Sequence, residues 1–225
     1  MVRFTIGHKG YIKILYWGMA GSGKTTILDT LYQITKEQRK DILPVGNITK
    51  IAKANGSTQY FDRGKFQSTT QRKVYYYVYT VAGHSRYSPL RKKIFKGTDG
   101  VIFVVDSQTK FLEDNIESLK ELINVSEGKI IREIPMVIML NKQDLTEVIG
   151  EEVFNQILKD DNLWFKSGDD FYNKNPTIYK TCAIFDKRKD IYRSFIDCVN
   201  RISFLIDDEY FSYKNPPPSR DTAIY

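Results

Sequence analysis

Glycine, lysine and threonine occur between residues 18 and 25 at a spacing that suits the binding of phosphate groups. The stretch reads Gly-Met-Ala-Gly-Ser-Gly-Lys-Thr and fits the pattern G-x-x-x-x-G-K-[ST]. In such a loop the backbone N–H groups point inward around two phosphates, and the lysine, here Lys24, reaches the outer ones. Small residues are needed where a Cβ atom would collide with phosphate oxygens. The sequence therefore predicts a phosphate-binding loop formed by Gly18, Gly21, Ser22, Gly23, Lys24, Thr25 and Thr26.

The elements on either side of this loop favour the same interpretation. The apolar run 12–17 precedes it as a strand, and apolar residues at helical spacing follow it to about Lys36. The loop would therefore lead into the N-terminus of a helix, where the helix dipole favours anions. Thr25, in the first helical turn, would offer its hydroxyl to a Mg²⁺ ion bound with the phosphates.

A second motif indicates which base the nucleotide carries. Residues 141–144 read Asn-Lys-Gln-Asp, the N-K-x-D motif of guanine-nucleotide proteins, directly after an apolar strand. The Asp144 carboxylate would accept hydrogen bonds from guanine N1–H and the 2-amino group, and adenine would leave this carboxylate unpaired. Asn141 would brace the neighbouring loops, and the aliphatic part of Lys142 would cover the base.

The end of the last predicted strand completes this base site. Cys182 and Ala183 stand where guanine-nucleotide proteins have S-A or C-A, with the Ala183 N–H facing guanine O6. Each motif is short, but all of them follow predicted parallel strands, whose carboxyl ends meet at one edge of a sheet. The motifs in this order favour a guanine-nucleotide site.

The residues expected to act on the terminal phosphate are less regular. Guanine-nucleotide proteins usually carry D-x-x-G after the third strand, and this chain has Thr80-Val-Ala-Gly83 followed by His84. The Gly83 N–H would read the γ-phosphate, whereas Thr80 replaces the aspartate that holds a water on Mg²⁺, so another group, such as Asp62, is needed there. His84 stands where a side chain usually orients the attacking water, although a surface histidine is the alternative interpretation. We therefore expect Lys24, Gly83 and His84 to be catalytic.

The composition limits the other functions that the chain can have. Its 225 residues, 41% of them hydrophobic, suffice for one α/β domain. The net charge of +7 comes from scattered basic residues, so we expect solvated surfaces and no nucleic-acid partner. Two cysteines, Cys182 and Cys198, fit a reducing, cytoplasmic setting. We expect no membrane-spanning segment, because no apolar run reaches about 18 residues, and no lipid anchor, because the acceptor glycine and cysteine are missing.

Strand and helix patterns alternate along the chain, which is typical of a parallel sheet with helices on both faces. The predicted elements after the first helix are two strands around 59–66 and 72–80, strands at 101–106, 134–140 and 177–182, and helices at 111–123, 148–158 and 191–206. Polar stretches at 37–57 and 160–175 are predicted to be loops. We expect a GTPase domain at 1–206 and a flexible tail at 207–225, which lacks periodicity.

These motifs resemble those of the small Ras-superfamily GTPases, and in particular the MglA-type bacterial polarity and gliding-motility GTPases. The resemblance rests on the phosphate loop with its strand, Thr80-Val-x-Gly83, the run 96–108 and Asn141-Lys-Gln-Asp. It implies a Ras-like P-loop NTPase fold with a mostly parallel six-stranded sheet, binding of GTP and GDP with Mg²⁺, and slow GTP hydrolysis. It also implies that Thr58 closes a switch loop onto Mg²⁺ in the GTP state. A roadblock-fold activating protein and effectors are the implied protein partners.

The chain departs from that family at two places. Ser57 replaces an arginine that precedes the switch threonine, so an arginine acting in cis would have to be another, such as Arg63 or Arg86. His84 replaces the family's glutamine, whereas Thr80 in place of aspartate is itself typical of the family.

A GTPase switch is the preferred function, and the alternatives are a GTP-binding interaction module with little hydrolysis and an ATPase or nucleotide kinase.

Overall fold

The computed structural model describes residues 3–5, 9–38, 40–51, 61–71, 73–83 and 87–214. Its strands are β1 (Arg3–Thr5), β2 (Lys9–Trp17), β3 (Ile42–Pro44), β4 (Thr49–Ile51), β5 (Phe61–Ser68), β6 (Val74–Val81), β7 (Gly100–Asp106), β8 (Met136–Asn141) and β9 (Thr177–Lys180). Its α-helices are α1 (Lys24–Glu37), α2 (Ser88–Phe95), α3 (Leu112–Ser126), α4 (Glu151–Asp160) and α5 (Ile191–Lys214). The predicted alternation of strands and helices is thus confirmed.

All of these strands belong to one mixed sheet, in the order β3-β5-β6-β2-β7-β8-β9, with β1 added to β2 and β4 added to β5. Neighbours from β6 to β9 run parallel, and β5 runs antiparallel to β6. The six longer strands form the predicted six-stranded sheet, which is therefore confirmed, and the three-residue strands β1, β3 and β4 extend it. Because β2, β6, β8 and β9 are parallel, the segments that follow them meet at one edge.

The sheet is buried on both faces, which explains the apolar runs of its central strands. On one face Ile14 and Tyr16 of β2 pack with residues of α1 and α5, including Leu28 and Phe195. On the other face Leu15 and Trp17 of β2 pack with residues of α2, α3 and α4, including Phe154. Every residue of β7 and β8 is buried. Because helices pack on both faces, the sheet is held in place, and with it the strand ends that form the candidate site.

Two predicted boundaries were wrong. The polar stretch 37–57 is not a continuous loop, because β3 and β4 pair with β5 in it and Ile42 is buried in the core. Helix α4 begins at Glu151 and not at residue 148, because the Ile149 N–H donates to Ser107 O at 2.6 Å and holds the preceding segment out of the helix.

The C-terminal helix is longer than its apolar stripe indicated. We expected it to end near Ile206, but α5 continues to Lys214, so the first part of the predicted tail is helical. The insertion between α4 and β9 is held by Leu163, Trp164 and Phe165, which pack on the core. None of the helices in the described part of the chain is long and apolar enough to cross a membrane.

Candidate functional site

The phosphate loop turns between β2 and α1 and touches the predicted base-recognition motif. Gly23 caps the N-terminus of α1 with a φ of 99°, a left-handed conformation that favours glycine. A Cβ atom on Gly23 would lie 2.4 Å from Nδ2 of Asn141, so a larger residue would displace this side chain. Nδ2 of Asn141 donates to the Ser22 carbonyl at 2.8 Å. The structure therefore brings the 18–25 loop and the Asn141 loop into direct contact.

The Lys24 side chain lies back along this loop and is buried, with 6% of its surface exposed. Its Nζ donates to the carbonyls of Gly18 at 2.8 Å and Met19 at 2.6 Å. Burial, and secondarily the positive charge of Arg91, lowers the pKa of Lys24 to about 7. An anion in the loop would offset both effects, because it would favour the charged amine.

Asp62 connects two hydroxyl groups below the phosphate loop. Its Oδ2 accepts a hydrogen bond from Thr25 Oγ1 at 2.7 Å and another from Thr80 Oγ1 at 3.0 Å. Asp62 and Thr80 are direct partners in the β5–β6 ladder, and both are buried. Sequence analysis named Asp62 as one candidate to compensate for Thr80, and the structure places its carboxylate against the hydroxyl of Thr25, which was predicted to bind Mg²⁺.

A cavity of about 330 Å³ adjoins these groups and is lined by residues of the phosphate loop, including Thr26, and by Asp62, Thr80 and Gly83. Gly83 approaches the loop so closely that a Cβ atom would lie 2.1 Å from the Ala20 nitrogen. The polar groups here are hydroxyls, backbone N–H groups, one amine and one carboxylate. A Mg²⁺ ion bound with phosphates keeps several waters and phosphate oxygens as ligands, so it needs few protein carboxylates. The groups found here suit such an ion. Among the described residues no cluster of three or more His, Cys, Asp or Glu forms a separate metal site.

Lys142 is held in place by a residue that sequence analysis missed. Its Nζ donates to Oδ2 of Asp106 at 2.6 Å, and its φ of 69° is left-handed. Asp106 ends β7, is almost fully buried and also accepts from Nε2 of Gln108 at 3.1 Å. The available clue was that Asp106 is the one charged residue in an otherwise apolar strand. Its partner could not be found without the fold, because the two residues are 36 positions apart.

The predicted base-contacting residues surround the ends of β8 and β9. Asp144 lies in an exposed loop, but its side chain is only 16% exposed and has Lys187 Nζ at 3.8 Å. The pKa of the Cys182 thiol is raised, mainly by burial. A hydrogen bond with Asp144 contributes to the same shift. The Ala183 carbonyl accepts a hydrogen bond from Thr30 Oγ1 of α1 at 2.6 Å. The structure thus places Asp144, Cys182 and Ala183 at the same edge as the phosphate loop.

The structure bears on only one of the remaining residues that sequence analysis named for the terminal phosphate. Thr58 and His84 lie outside the described residues, as do Ser57 and Arg86, so their roles stay predictions. Arg63 is described, but it alternates with Asp62 along β5 and lines a cavity of about 400 Å³ with tyrosines of β6. It therefore faces away from Thr25 and does not reach the phosphate loop in this conformation.

A sheet of this order with a glycine-rich phosphate loop after β2 has the Ras-like P-loop fold. The chain belongs to the ADP-ribosylation factor (Arf) family of small GTPases, whose family model matches residues 1–203. The predicted fold class and the resemblance to small GTPases are therefore confirmed.

Among curated proteins, the mutual gliding-motility protein MglA of Myxococcus xanthus (strain DK1622) is 37% identical over 158 residues, which are 67% of this chain and 77% of that protein. ADP-ribosylation factor-like protein 6 of Caenorhabditis elegans is 32% identical over 145 residues, or 63% of this chain and 65% of that protein. The protein of the same name from Danio rerio is 29% identical over 156 residues, or 69% of this chain and 74% of that protein.

Proposed function

We propose that this chain is a GTPase switch, which binds GTP and GDP with Mg²⁺, hydrolyses GTP slowly and reports its nucleotide state to protein partners. The observation that carries this proposal is the contact between Asn141 Nδ2 and the Ser22 carbonyl. That hydrogen bond joins a loop suited to phosphates to a motif suited to guanine. Membership of the Arf family supports the same class of activity.

The phosphate end of the proposed site depends on Lys24 and the N-terminus of α1. Binding a nucleotide would draw the Lys24 amine from the Gly18 and Met19 carbonyls towards the phosphates. The loop N–H groups and the helix dipole would stabilise the same negative charge. The Gly83 N–H would bind the terminal phosphate and so distinguish GTP from GDP.

The residues proposed for Mg²⁺ are Thr25, Thr58 in the GTP state and, through a water, Asp62. The ion would polarise the phosphate oxygens and offset their developing charge. The hydrogen bond from Thr25 to Asp62 orients the threonine hydroxyl and leaves its oxygen lone pairs available as a ligand. Thr80 holds the same carboxylate from the neighbouring strand.

Hydrolysis is proposed to use His84, whose neutral imidazole would orient the attacking water. The loss of Thr58 and Gly83 contacts after hydrolysis would release the switch loops, which is how partners would detect the nucleotide state. A roadblock-fold activating protein is the proposed accelerator, and effectors are the proposed readers. The second candidate, a GTP-binding module with little hydrolysis, is favoured by Thr80, by Ser57 and by the position of Arg63 on the other sheet face.

The proposed GTPase domain comprises residues 1–206, with 207–225 as an extension that nucleotide binding does not require. The two cysteines, Cys182 and Cys198, are free and buried, which supports a reducing cytoplasmic setting.

Nucleotide binding is tested first by titrating the purified protein with a fluorescent guanine nucleotide in the presence of Mg²⁺. Unlabelled GTP and GDP should displace the probe, excess ATP should not, and Lys24→Ala should not bind it. Displacement by ATP, or tight binding by Lys24→Ala, would contradict the proposed site.

A further inference from the structure

Helix α2 carries an arginine that is buried between three parts of the fold. Arg91 has 4% of its surface exposed, although arginine is rarely buried unless it is paired. Its guanidinium forms a bidentate pair with Glu121 of α3, with Nε donating to Oε1 at 3.1 Å and Nη2 donating to Oε2. The guanidinium also lies over the Trp17 ring, at 5.5 Å from its centroid. Arg91 therefore joins α2, α3 and the end of β2.

The same side chain reaches the segment that follows β6. Nη1 of Arg91 points to the Ala82 carbonyl at 3.4 Å, which is a long hydrogen bond from a charged donor. The Ala82 carbonyl and the Gly83 N–H belong to one peptide group, and none of the described peptide bonds is cis. In a trans peptide these two groups point in opposite directions. Holding the carbonyl towards Arg91 therefore turns the Gly83 N–H away from Arg91.

Gly83 lies between two cavities. One of about 570 Å³ is lined by Gly83, Arg91 and Glu121, and the other is the cavity of about 330 Å³ that Gly83 shares with Lys24 and Thr25. Because the Ala82 carbonyl points towards Arg91 and the larger cavity, the Gly83 N–H of the same peptide faces the smaller cavity beside the phosphate loop. Gly83 also touches the phosphate loop so closely that a rotation of this peptide would disturb Met19 and Ala20.

We propose that Arg91, oriented by Glu121, is a positioning residue that aims the Gly83 N–H at the terminal phosphate and thereby sets the preference for GTP over GDP. This inference rests on the proposed function. Glu121 balances the charge of Arg91 and fixes its rotamer, which leaves Nη1 directed at Ala82. A lysine at residue 91 could not do the same, because one amine cannot form the bidentate pair and reach the carbonyl as well.

The test compares affinities for GDP and for a non-hydrolysable GTP analogue, measured by displacement of a fluorescent guanine nucleotide. Arg91→Met would leave the partly buried Glu121 carboxylate unpaired, so the informative variant is Arg91→Met/Glu121→Met, which removes both charges. We expect it to bind the analogue about tenfold more weakly, as for a lost hydrogen bond to a charged donor, with GDP affinity changed less than about twofold. Arg91→Lys should shift the ratio in the same direction. Lys92→Met, an exposed change on the same helix, is the matched control and should retain the wild-type ratio.

A merely structural role for Arg91 predicts a different pattern. It would lower the melting temperature and reduce both affinities by the same factor. A folded double variant with the wild-type ratio, or with equal losses for both nucleotides, would overturn the inference and leave the proposed function intact. Failure of the wild-type protein to bind either nucleotide would instead overturn the proposed function, and the inference with it.

Discussion

Asp62 lies directly across the β5–β6 ladder from Thr80 and accepts a hydrogen bond from its Oγ1 at 3.0 Å. Small GTPases usually have an aspartate at the position of Thr80, so here a carboxylate is supplied one strand further along the sheet. Directly opposed residues on antiparallel strands have Cβ atoms about 4.5–5.5 Å apart. That separation lets the Asp62 carboxylate bond Thr80, and the same Oδ2 also accepts a hydrogen bond from Thr25 Oγ1 of α1 at 2.7 Å.

Removing the charge of Asp62 should weaken Mg²⁺ binding. Bound Mg²⁺ should slow nucleotide dissociation. We expect Asp62→Asn to raise the Mg²⁺ concentration needed for half of this effect about tenfold or more, as for other residues that orient a metal ligand. The measurement is the dissociation rate of a fluorescent GDP as a function of Mg²⁺. The reciprocal variant Asp62→Thr/Thr80→Asp returns a carboxylate to the ladder and should recover part of the loss. Gln67→Ala, on the same strand, is the control, and an Asp62→Asn curve equal to the control would refute this role.

The base preference should depend on one carboxylate. Asp144→Asn would replace one of the two acceptor oxygens by a donor amide, so the guanine 2-amino group would lose its hydrogen bond and face another donor, and guanine affinity should fall by about 100-fold or more. Xanthine carries a carbonyl where guanine carries the 2-amino group, so the variant should bind xanthosine diphosphate better than GDP. Competition between the two diphosphates measures the change. Unaltered preference for GDP would remove Asp144 from the base site.

Nucleotide binding should take up a proton at Lys24. The pKa of this amine is lowered to about 7 in the unbound protein, because burial disfavours its charge, whereas phosphates require the charged form. Affinity should therefore fall as the pH rises above about 7.5, approaching tenfold per pH unit. Calorimetry in buffers with different ionisation enthalpies should detect the proton uptake. Lys159→Ala, an exposed change on α4, should behave like the wild type, and an affinity that is constant from pH 7.5 to 9 would contradict the prediction.

The stability of the unbound protein should change with pH in the opposite sense. The unfolded chain keeps Lys24 protonated up to its ordinary pKa of 10.5, whereas the folded chain releases this proton from about pH 7. Because the unfolded state binds more protons between these values, this group should make the unfolding free energy rise with pH there. Lys24→Met should lack this contribution in denaturant titrations at pH 7.5 and 9.

Asp106 should control how long the nucleotide stays bound. The carboxylate holds Lys142 Nζ at 2.6 Å, which keeps the aliphatic part of Lys142 in place over the proposed base position. Asp106→Asn preserves the size of the side chain but removes the charge, so we expect GDP to dissociate about threefold to tenfold faster. Stopped-flow displacement of a fluorescent GDP measures this rate. A rate equal to that of the wild type would show that Lys142 does not need its partner.

The parts of the fold that the sequence predicted correctly are those encoded by neighbouring residues. The run 12–17, the phosphate loop and the start of α1 are adjacent in sequence, so strand, turn and helix patterns identify them together. The strands β3 and β4 were missed, because three polar-flanked residues become a strand only by pairing with β5. Likewise, the start of α4 depends on a hydrogen bond from Ile149 to Ser107.

The same distinction applies to the candidate site. Asp62 was one candidate from the sequence, because Thr80 stands where small GTPases usually have an aspartate, and its pairing with Thr80 is visible only in the structure. The partners of Lys142 and Arg91 could not be identified from the sequence, because Asp106 and Glu121 are 36 and 30 positions away and meet them only in the folded chain.

The most direct test of the proposed GTPase switch is single-turnover hydrolysis of GTP by the purified protein with Mg²⁺, with the nucleotide identified by chromatography. We expect slow, complete conversion of bound GTP to GDP, slower conversion by His84→Ala, and faster conversion with a roadblock-fold partner. Bound GTP that stays intact under all of these conditions would contradict the account and favour a GTP-binding module.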